Sequence, residues 1–206
     1  MKLRLLLLAV TFLPACASPA QRPRPNATPG AVSMGEVPPD VPAPAFVPSD
    51  IARRTHARVN EARVRQGFGA LAWSDSLARL ARVHSDDMAR RAFFAHDNPD
   101  GENVNARATR LGLSCRIEQG RSIYTGFGEN LFVTPRYTSA YRITENGRTT
   151  TRYAWKAPES LPGAAVNGWL NSPGHRRNLL SPVFRREGLA ASLAADGQIY
   201  FTQVLC

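Results

Sequence analysis

The sequence is poor in lysine, histidine and cysteine, which limits the chemistry that local motifs can supply. Its 206 residues include two lysines, four histidines and three cysteines. They contain no His-Glu-x-x-His, no Gly-x-Ser-x-Gly, no glycine-rich phosphate-binding loop and no Cys-x-x-Cys. These absences exclude the enzyme classes that such motifs define.

The formal net charge is +10, and nearly all of the basic residues are arginines. Removing residues 1–15 takes away Lys2 and Arg4, which leaves +8. A positive charge of this size favours anionic partners such as membranes or wall polymers. No nucleic-acid-binding motif accompanies the charge, so we expect no nucleic-acid partner.

Residues 1–15 predict an export signal. A positively charged start precedes an apolar run over residues 5–13, which is too short to cross a bilayer as a helix. Residues 13–16, Leu-Pro-Ala-Cys, resemble a bacterial lipobox, in which the chain is cut before Cys16 and that cysteine receives lipid. Ordinary secretion is the alternative, because small residues also flank this position. We favour a lipoprotein signal peptide, with the mature chain anchored to a bacterial membrane on its periplasmic side or at the cell surface.

A proline-rich tether follows the signal peptide. Residues 17–48 contain nine prolines and almost no large apolar side chain. Such a segment cannot bury enough surface to offset its ordering entropy. We therefore expect residues 16–48, which include the lipid-bearing Cys16, to act as a semi-rigid spacer. At about 3.1 Å per residue its reach is on the order of 100 Å at most.

Residues 49–206 are long enough for one domain with one sizeable core. Apolar spacing, N-caps and glycine stops predict helices at residues 50–66, from Ser74 onward, at 103–111 and at 164–171. Two strands joined by an Asp196-Gly197 turn close the chain. Helices together with terminal antiparallel strands predict an α+β layered domain, which we expect to be a monomer.

Cys115 and Cys206 form an even pair once Cys16 is lipidated or removed. In an oxidising compartment such a pair favours a disulfide, with two free buried thiols as the alternative. The bridge would close a loop of about 90 residues and contribute roughly 4–5 kcal/mol in the chain-entropy model.

The segment between the Gly128–Leu131 block and the helix at 164–171 has its own character. Aromatic and β-branched residues flank Asn146-Gly147, which is a strong hairpin signal. Basic side chains outnumber acidic ones there. We expect a hairpin, either an arm that grips an anionic or glycan partner or a solvated cover on one edge of the domain.

Three histidines have informative surroundings. His84 lies on the apolar stripe of the second predicted helix, where a hydrogen-bonded core histidine is more typical than a ligand. His96 follows two phenylalanines at the start of a polar turn. His175 follows Ser-Pro-Gly after a helix predicted to end at Asn171, which places it on a turn. Polar groups on turns beside apolar anchors are typical of sites, so His96 and His175 are candidate site residues.

Several motifs occur in one order along residues 51–206. They are Val59-Asn60 with Arg63, Leu71-Ala72-Trp73, Leu77-x-x-Leu80-Ala81, His84-Ser85-Asp86-Asp87-Met88, Phe94-x-His96, Gly128-Glu129-Asn130-Leu131, Trp169-x-x-Ser172-Pro173-Gly174-His175-Arg176-x-Asn178-Leu179-Leu180 and Thr202-Gln203-Val204. Together they resemble the bacterial SCP-like extracellular branch of the CAP superfamily, and the resemblance covers most of residues 51–206.

The resemblance implies a three-layer α-β-α sandwich with a central antiparallel sheet and a central cleft. In the wider family that cleft holds two histidines and two acids, and in some members a divalent metal. By motif, His96, Glu129 and His175 match three of the four, whereas Ser172 stands where the second acid would be. The predicted hairpin, near residues 133–162, is then an insertion.

Three function classes remain open. The first, which we favour, is a non-catalytic binding module for a cell-envelope or apolar ligand, with a divalent metal such as Zn²⁺ on His96, Glu129 and His175. The second is a metal-dependent hydrolase in which a zinc-bound water attacks and Glu129 or a histidine moves protons. The third is a structural envelope protein in which the same three side chains form an internal hydrogen-bonded network.

Overall fold

A four-stranded sheet lies at the centre of the domain, and helices cover both of its faces. The computed structural model describes residues 38–206. The helices are α1 (Pro48–Arg65), α2 (Asp75–Arg91), α3 (Val104–Arg110), α4 (Leu161–Asn171) and α5 (Pro173–Leu179). The strands are β1 (Ala72–Trp73), β2 (Arg116–Gln119), β3 (Ser122–Thr125), β4 (Gly128–Pro135), β5 (Tyr137–Glu145), β6 (Arg148–Trp155), β7 (Arg186–Leu193) and β8 (Gln198–Leu205). The predicted signal peptide, Cys16 and the tether up to residue 37 lie outside the described residues.

The central sheet has the strand order β1-β7-β8-β4. The predicted terminal hairpin is confirmed: β7 and β8 pair antiparallel around a turn in which Gly197 has φ +81°. Strand β4 pairs antiparallel with β8, so that Glu129 lies opposite Val204. The α+β sandwich is confirmed, with one addition: the two-residue β1 joins the edge of the sheet in parallel with β7.

Side chains of β8 alternate between the two faces, as the period of a strand requires. Phe201 and Leu205 pack in one core with residues of α1 and α4. Val204 packs in a second core with residues of α2 and α3, and Tyr200 packs in a third with Met88 near the end of α2. Helix layers therefore cover both faces, and β4 is an edge strand around which the two layers can meet.

The helix boundaries follow the local signals of the sequence. Ser74 and Asn103 cap α2 and α3 by accepting hydrogen bonds from backbone N–H groups three residues on. The prediction that His175 lies on a turn is wrong. Pro173 is the first residue of a second short helix, α5, and His175 lies in its first turn. Proline suits this position because its missing N–H has no partner in the first turn of a helix.

The predicted hairpin of residues 133–162 is present and is made of β5 and β6. Asn146 and Gly147 both have positive φ, 51° and 74°, as the predicted two-residue turn demands. A second hairpin, β2–β3, was not predicted because its short strands are mostly exposed and carry no alternating pattern. Among residues 38–206, no helix is both long and apolar enough to cross a membrane.

The predicted Cys115–Cys206 disulfide is confirmed, with Cα atoms 5.7 Å apart. Both cysteines are buried in the core that contains residues of α2 and α3. The bridge fixes the last residue of the chain to the segment after α3. That position is adjacent to the β4–β8 pair, so the disulfide supports the edge of the sheet at which the candidate site lies.

Candidate functional site

His96 and Glu129, 33 residues apart, form a hydrogen-bonded pair at the edge strand β4. The Nδ1 atom of His96 lies 2.9 Å from Oε1 of Glu129. The two side chains differ sharply in exposure, at 54% for His96 and 4% for Glu129. A carboxylate can only accept, so the histidine donates through Nδ1 and its Nε2 atom is left for other partners. The pair therefore has a buried acid that orients an accessible imidazole.

The loop that carries His96 is held in place by its own hydrogen bonds. Phe93 is buried in the core beside α2 and anchors the start of the loop. Asn98 Oδ1 accepts from the backbone N–H groups of Asp100 and Glu102, an Asx-turn arrangement. The loop is therefore fixed on both sides of the histidine, which limits the positions that the His96 ring can take.

Arg107 of α3 completes the pairing of Glu129. Its Nη2 atom donates to Glu129 Oε2 at 2.6 Å, and its Nη1 atom donates to the backbone oxygens of His96 and Glu102. The Arg107 side chain is 1% exposed. Both carboxylate oxygens of Glu129 are thus engaged, one by the imidazole and one by the guanidinium group. Arg107 was not identified from the sequence. The only available signal was that a buried acid requires a cationic partner.

His175 approaches from the opposite face of the sheet. Its ring centroid lies 6.1 Å from that of His96, and the ring planes are inclined by 53°. Asn130 donates to the backbone oxygen of His175, and Asn178 donates to the backbone oxygen of Glu129 and to Asn130 Oδ1. Consecutive residues of one strand point to opposite faces, so Glu129 supports His96 on one side of β4 while Asn130 supports His175 on the other.

The His175 pKa lies below the usual value for histidine. Burial of the ring is the larger cause, and the nearby His96 adds to it by disfavouring a second positive charge. His175 is therefore held as a neutral imidazole at neutral pH. A neutral imidazole can ligate a metal or accept a proton.

His96 and His175 bring two imidazoles, the commonest metal-ligating side chains, to a ring-centroid distance of 6.1 Å. Each oxygen of Glu129 already accepts a hydrogen bond, one from His96 and one from Arg107. Across residues 38–206, no group of three His, Cys, Asp or Glu side chains is arranged to hold a metal. Ser172, which stands where the family's second acid would be, lies between α4 and α5.

The third histidine of the sequence analysis, His84, is a core residue as predicted. It is fully buried in α2, and its Nε2 atom lies 2.9 Å from the backbone oxygen of Ala95. Burial lowers the pKa of His84 and outweighs the attraction of Glu129. His84 is therefore a neutral, buried side chain behind the His96–Glu129 pair. Its contact with Ala95 helps to hold the loop that leads to His96.

A second histidine–glutamate pair, which sequence reasoning also missed, joins α1 to β7. His56 Nδ1 lies 2.6 Å from Glu187 Oε1, and their side chains are 19% and 0% exposed. Gln203 donates to the other Glu187 oxygen and accepts from Asn130 at 2.8 Å. A continuous chain of buried polar contacts thus runs from His56 across the sheet to the residue that holds the His175 backbone.

A polar cavity of about 700 Å³ lies beside the site, with Arg107 in its wall. Its other walls carry charged side chains of α2 and of the loop after it, including Asp87, Arg91 and Glu102. A separate cavity of about 470 Å³ between α2 and the end of β7 has a more apolar lining. His96, Glu129 and His175 line neither cavity, so the link to the site runs through Arg107 alone. The cavity at Arg107 suits a polar ligand better than an apolar one.

Helix layers that meet around an edge strand, with two histidines and a buried acid at the meeting point, define a CAP-type domain. The sequence pattern of CAP, the cysteine-rich secretory protein family, matches residues 56–205, and the chain belongs to this family. The resemblance found from the motifs is confirmed.

Individual relatives agree with this assignment. The uncharacterized membrane protein YlbC of Bacillus subtilis (strain 168) is 28% identical over 144 residues, which are 70% of this chain and 31% of that protein. An extracellular protein containing a SCP domain from Bacillus anthracis has a similar structure, with TM-score 0.55, 24% identity and coverage of 80% of this chain and 44% of that one. An outer surface protein from Borrelia burgdorferi has TM-score 0.51 and 16% identity, with 74% of this chain and 89% of that one covered. The two structures show a common fold, and the chain spans less than half the length of the two Bacillus proteins.

Proposed function

We propose that this protein is an extracytoplasmic binding module whose contact centre is the His96–His175 pair. The observation that carries the proposal is the pairing of Glu129. Both of its oxygens face inward to His96 and Arg107, so the acid orients one imidazole and leaves Nε2 available beside a second, neutral imidazole. Such a pair can hold a divalent cation such as Zn²⁺ with Glu129 as its outer support.

The ligand class that fits best is a polar or anionic component of the cell envelope. The cavity beside Arg107 is lined by charged groups, and the net charge of the chain is positive. Anionic envelope polymers would be attracted to such a protein. The extracellular description of the similar Bacillus anthracis protein agrees with action outside the cytoplasm.

Binding is favoured over hydrolysis because the groups that hydrolysis needs are engaged or replaced. A zinc-bound water requires an open metal position together with a base that can take its proton. Each oxygen of Glu129 already accepts a hydrogen bond and the side chain is buried, which makes it a poor base for a metal-bound water, and Ser172 brings no carboxylate. The histidine pair alone offers few ligands, so a metal would be held with modest affinity.

A structural role is the second candidate, and one observation favours it. The buried residues Asn130, Gln203 and Glu187, together with the half-buried Asn178, form a continuous hydrogen-bonded chain. If the histidines only complete this network, their loss should lower stability. If they form a binding centre, their loss should remove binding and leave stability almost unchanged.

Isothermal titration of the full chain with ZnCl₂ distinguishes these roles. We expect about one Zn²⁺ per chain for the wild type, and no binding for His96→Ala or His175→Ala. His56→Gln is the matched control, because it removes a histidine outside the pair and should keep the stoichiometry. Absence of zinc binding in the wild type, with urea stability lost in both alanine variants, would favour the structural role instead.

We also propose that Cys16 carries the lipid anchor. Metabolic labelling with a palmitate analogue should mark the wild-type chain and leave Cys16→Ser unmarked. Label that survives in Cys16→Ser, or no label on either chain, would leave ordinary secretion as the explanation of the export signal.

A further inference from the structure

The inserted hairpin carries three aromatic rings that pack on one another. The ring centroids of Tyr153 and Trp155 are 4.7 Å apart, and that of Tyr137 lies 4.9 Å from Tyr153. Arg136, at the base of the hairpin, stacks over Trp155 at 5.2 Å. The rings are only half-buried. They form an aromatic face, Tyr137–Tyr153–Trp155, in which each ring packs on the other two.

The proline-rich segment before α1 is hydrogen-bonded to Trp155 of this aromatic face and to Arg136 beside it. The indole Nε1 of Trp155 donates to the backbone oxygen of Val41 at 3.0 Å, and Arg136 donates to the backbone oxygen of Pro44. These contacts span 114 and 92 residues of sequence. Phe46 then packs against the core of the domain and fixes the end of the segment. The segment is therefore held at three points within six residues.

The chemistry of the contact is that of polyproline recognition. Val41 and Ala43 each precede a proline, which restricts them to extended conformations, and residues 41–47 belong to no helix or strand. Proline carries no N–H, so backbone oxygens are the main polar groups that such a segment offers. Aromatic grooves with a donor at their edge bind these segments in many proteins, since the preformed chain has little entropy to lose.

The donor groups on the hairpin are positioned by contacts that do not involve the proline-rich segment. The Arg136 backbone N–H donates to the oxygen of Gly197 in the β7–β8 turn, and its own oxygen accepts from Lys156. Tyr137 lies opposite Trp155 in the β5–β6 register. The base of the hairpin is thus seated on the central sheet, so the aromatic face keeps its orientation relative to the domain.

We propose that the β5–β6 hairpin is a receptor for a polyproline segment, and that its occupant is this chain's own tether at residues 41–46. The insertion therefore determines where the tether leaves the domain and how the domain is turned toward its anchor. The hydrogen bonds to Val41 and Pro44 come from Trp155 and Arg136 and not from the arginines nearer the tip of the hairpin. The proposal does not depend on the function of the histidine pair.

Indole N–H exchange in the ¹⁵N-labelled full chain tests the proposal. All three tryptophans donate through Nε1: Trp73 to Asp75, Trp155 to Val41 and Trp169 to Leu131. Trp155→Phe assigns its signal. In Pro42→Ser/Pro44→Ser, solvent exchange of the Trp155 indole should rise about fivefold to tenfold. The Trp73 and Trp169 indoles are internal controls and should not change.

A synthetic peptide of residues 38–47, added to the double serine variant, tests the receptor itself. Return of the Trp155 indole signal toward its wild-type position would support a polyproline site. An unchanged exchange rate in the variant, or no response to the peptide, would overturn the proposal. Concentration-dependent dimers with Trp155 still protected would also overturn it, because the occupant would then be the segment of a second copy.

Discussion

Two histidine–glutamate pairs lie in this domain, and they differ in the group that binds the second carboxylate oxygen of the glutamate. In both, a histidine Nδ1 meets a buried carboxylate. Glu129 has the permanent cation Arg107 on its second oxygen, whereas Glu187 has the neutral amide of Gln203. Glu129 therefore keeps a charge partner whatever the state of its histidine. Glu187 has a cationic partner only when His56 is protonated.

The difference separates an accessible pair from an internal one. His96 is exposed and faces a second histidine, while His56 lies against Trp73 with ring centroids 5.4 Å apart. Because Arg107 already balances the charge of Glu129, His96 can bind a ligand without leaving that carboxylate unpaired. The comparison therefore predicts that the His96 pair serves binding and that the His56 pair serves stability.

The largest expected effect comes from removing the cation of the accessible pair. Arg107→Met should lower the free energy of unfolding by about 3–5 kcal/mol, because it leaves a buried carboxylate without its permanent partner. Urea denaturation measures the loss. Arg107→Met/Glu129→Gln is the control, since it removes the charge as well and should recover part of the stability. Equal losses in the single and double variants would contradict the role assigned to Arg107.

The same substitution in both histidines compares the pairs directly. His56→Gln should cost about 1–3 kcal/mol of unfolding free energy, because Glu187 is fully buried and loses the histidine that contacts it directly. His96→Gln should cost less than about 1 kcal/mol, because its side chain is exposed and Glu129 retains Arg107. Urea denaturation of the two variants gives both numbers. A larger cost for His96 than for His56 would reverse the comparison.

A smaller effect should come from His84, which lies behind the accessible pair. Its pKa is lowered by burial, so the unfolded chain takes up a proton that the folded chain excludes. Stability should therefore be complete above about pH 6.5 and fall as the pH drops below it. His84→Gln should make this decline shallower. Urea denaturation at pH 7.5 and 5.0 measures it, and identical slopes in both proteins would argue against a neutral His84.

The smallest effect is electrostatic coupling within the accessible pair. Burial, and then the neighbouring His96, lower the pKa of His175. Removing the second contribution with His96→Gln should raise the His175 titration midpoint in ¹H–¹³C NMR spectra. His56→Gln should leave that midpoint unchanged, since His56 belongs to the other pair. A shift of equal size in both variants would mean that the two pairs act as one network.

Local sequence signals predicted most of the fold, namely the features that depend on interactions between neighbouring residues. Ser74 caps α2, and Asn146-Gly147 and Asp196-Gly197 form turns, because each depends on a few neighbouring residues. The motif resemblance supplied His96, Glu129 and His175, and the structure places these three side chains together. The helical position of His175 escaped prediction, because proline is compatible both with a turn and with the start of a helix.

The missed residues share a physical cause. Arg107 lies on a seven-residue helix whose pattern does not reveal a buried arginine, and its acid is 22 residues away. His56 and Glu187 are separated by 131 residues. The three-point attachment of the tether likewise joins segments about 100 residues apart. Pairings of this kind depend on how the layers stack, and that information is absent from any single window of the chain.

The sequence by itself determined α1 to α4, the β5–β6 and β7–β8 hairpins, the pair of cysteines and the family. Only the tertiary structure decided which oxygen of Glu129 meets which partner, and that His175 approaches from the other side of β4. The physical reason lies in the register of the sheet. Glu129 and Asn130 point to opposite faces because they are consecutive residues of a strand, and the pairing of Glu129 with Val204 fixes which face each one takes. A shift of one residue would exchange the two sides and separate the histidines from their supports.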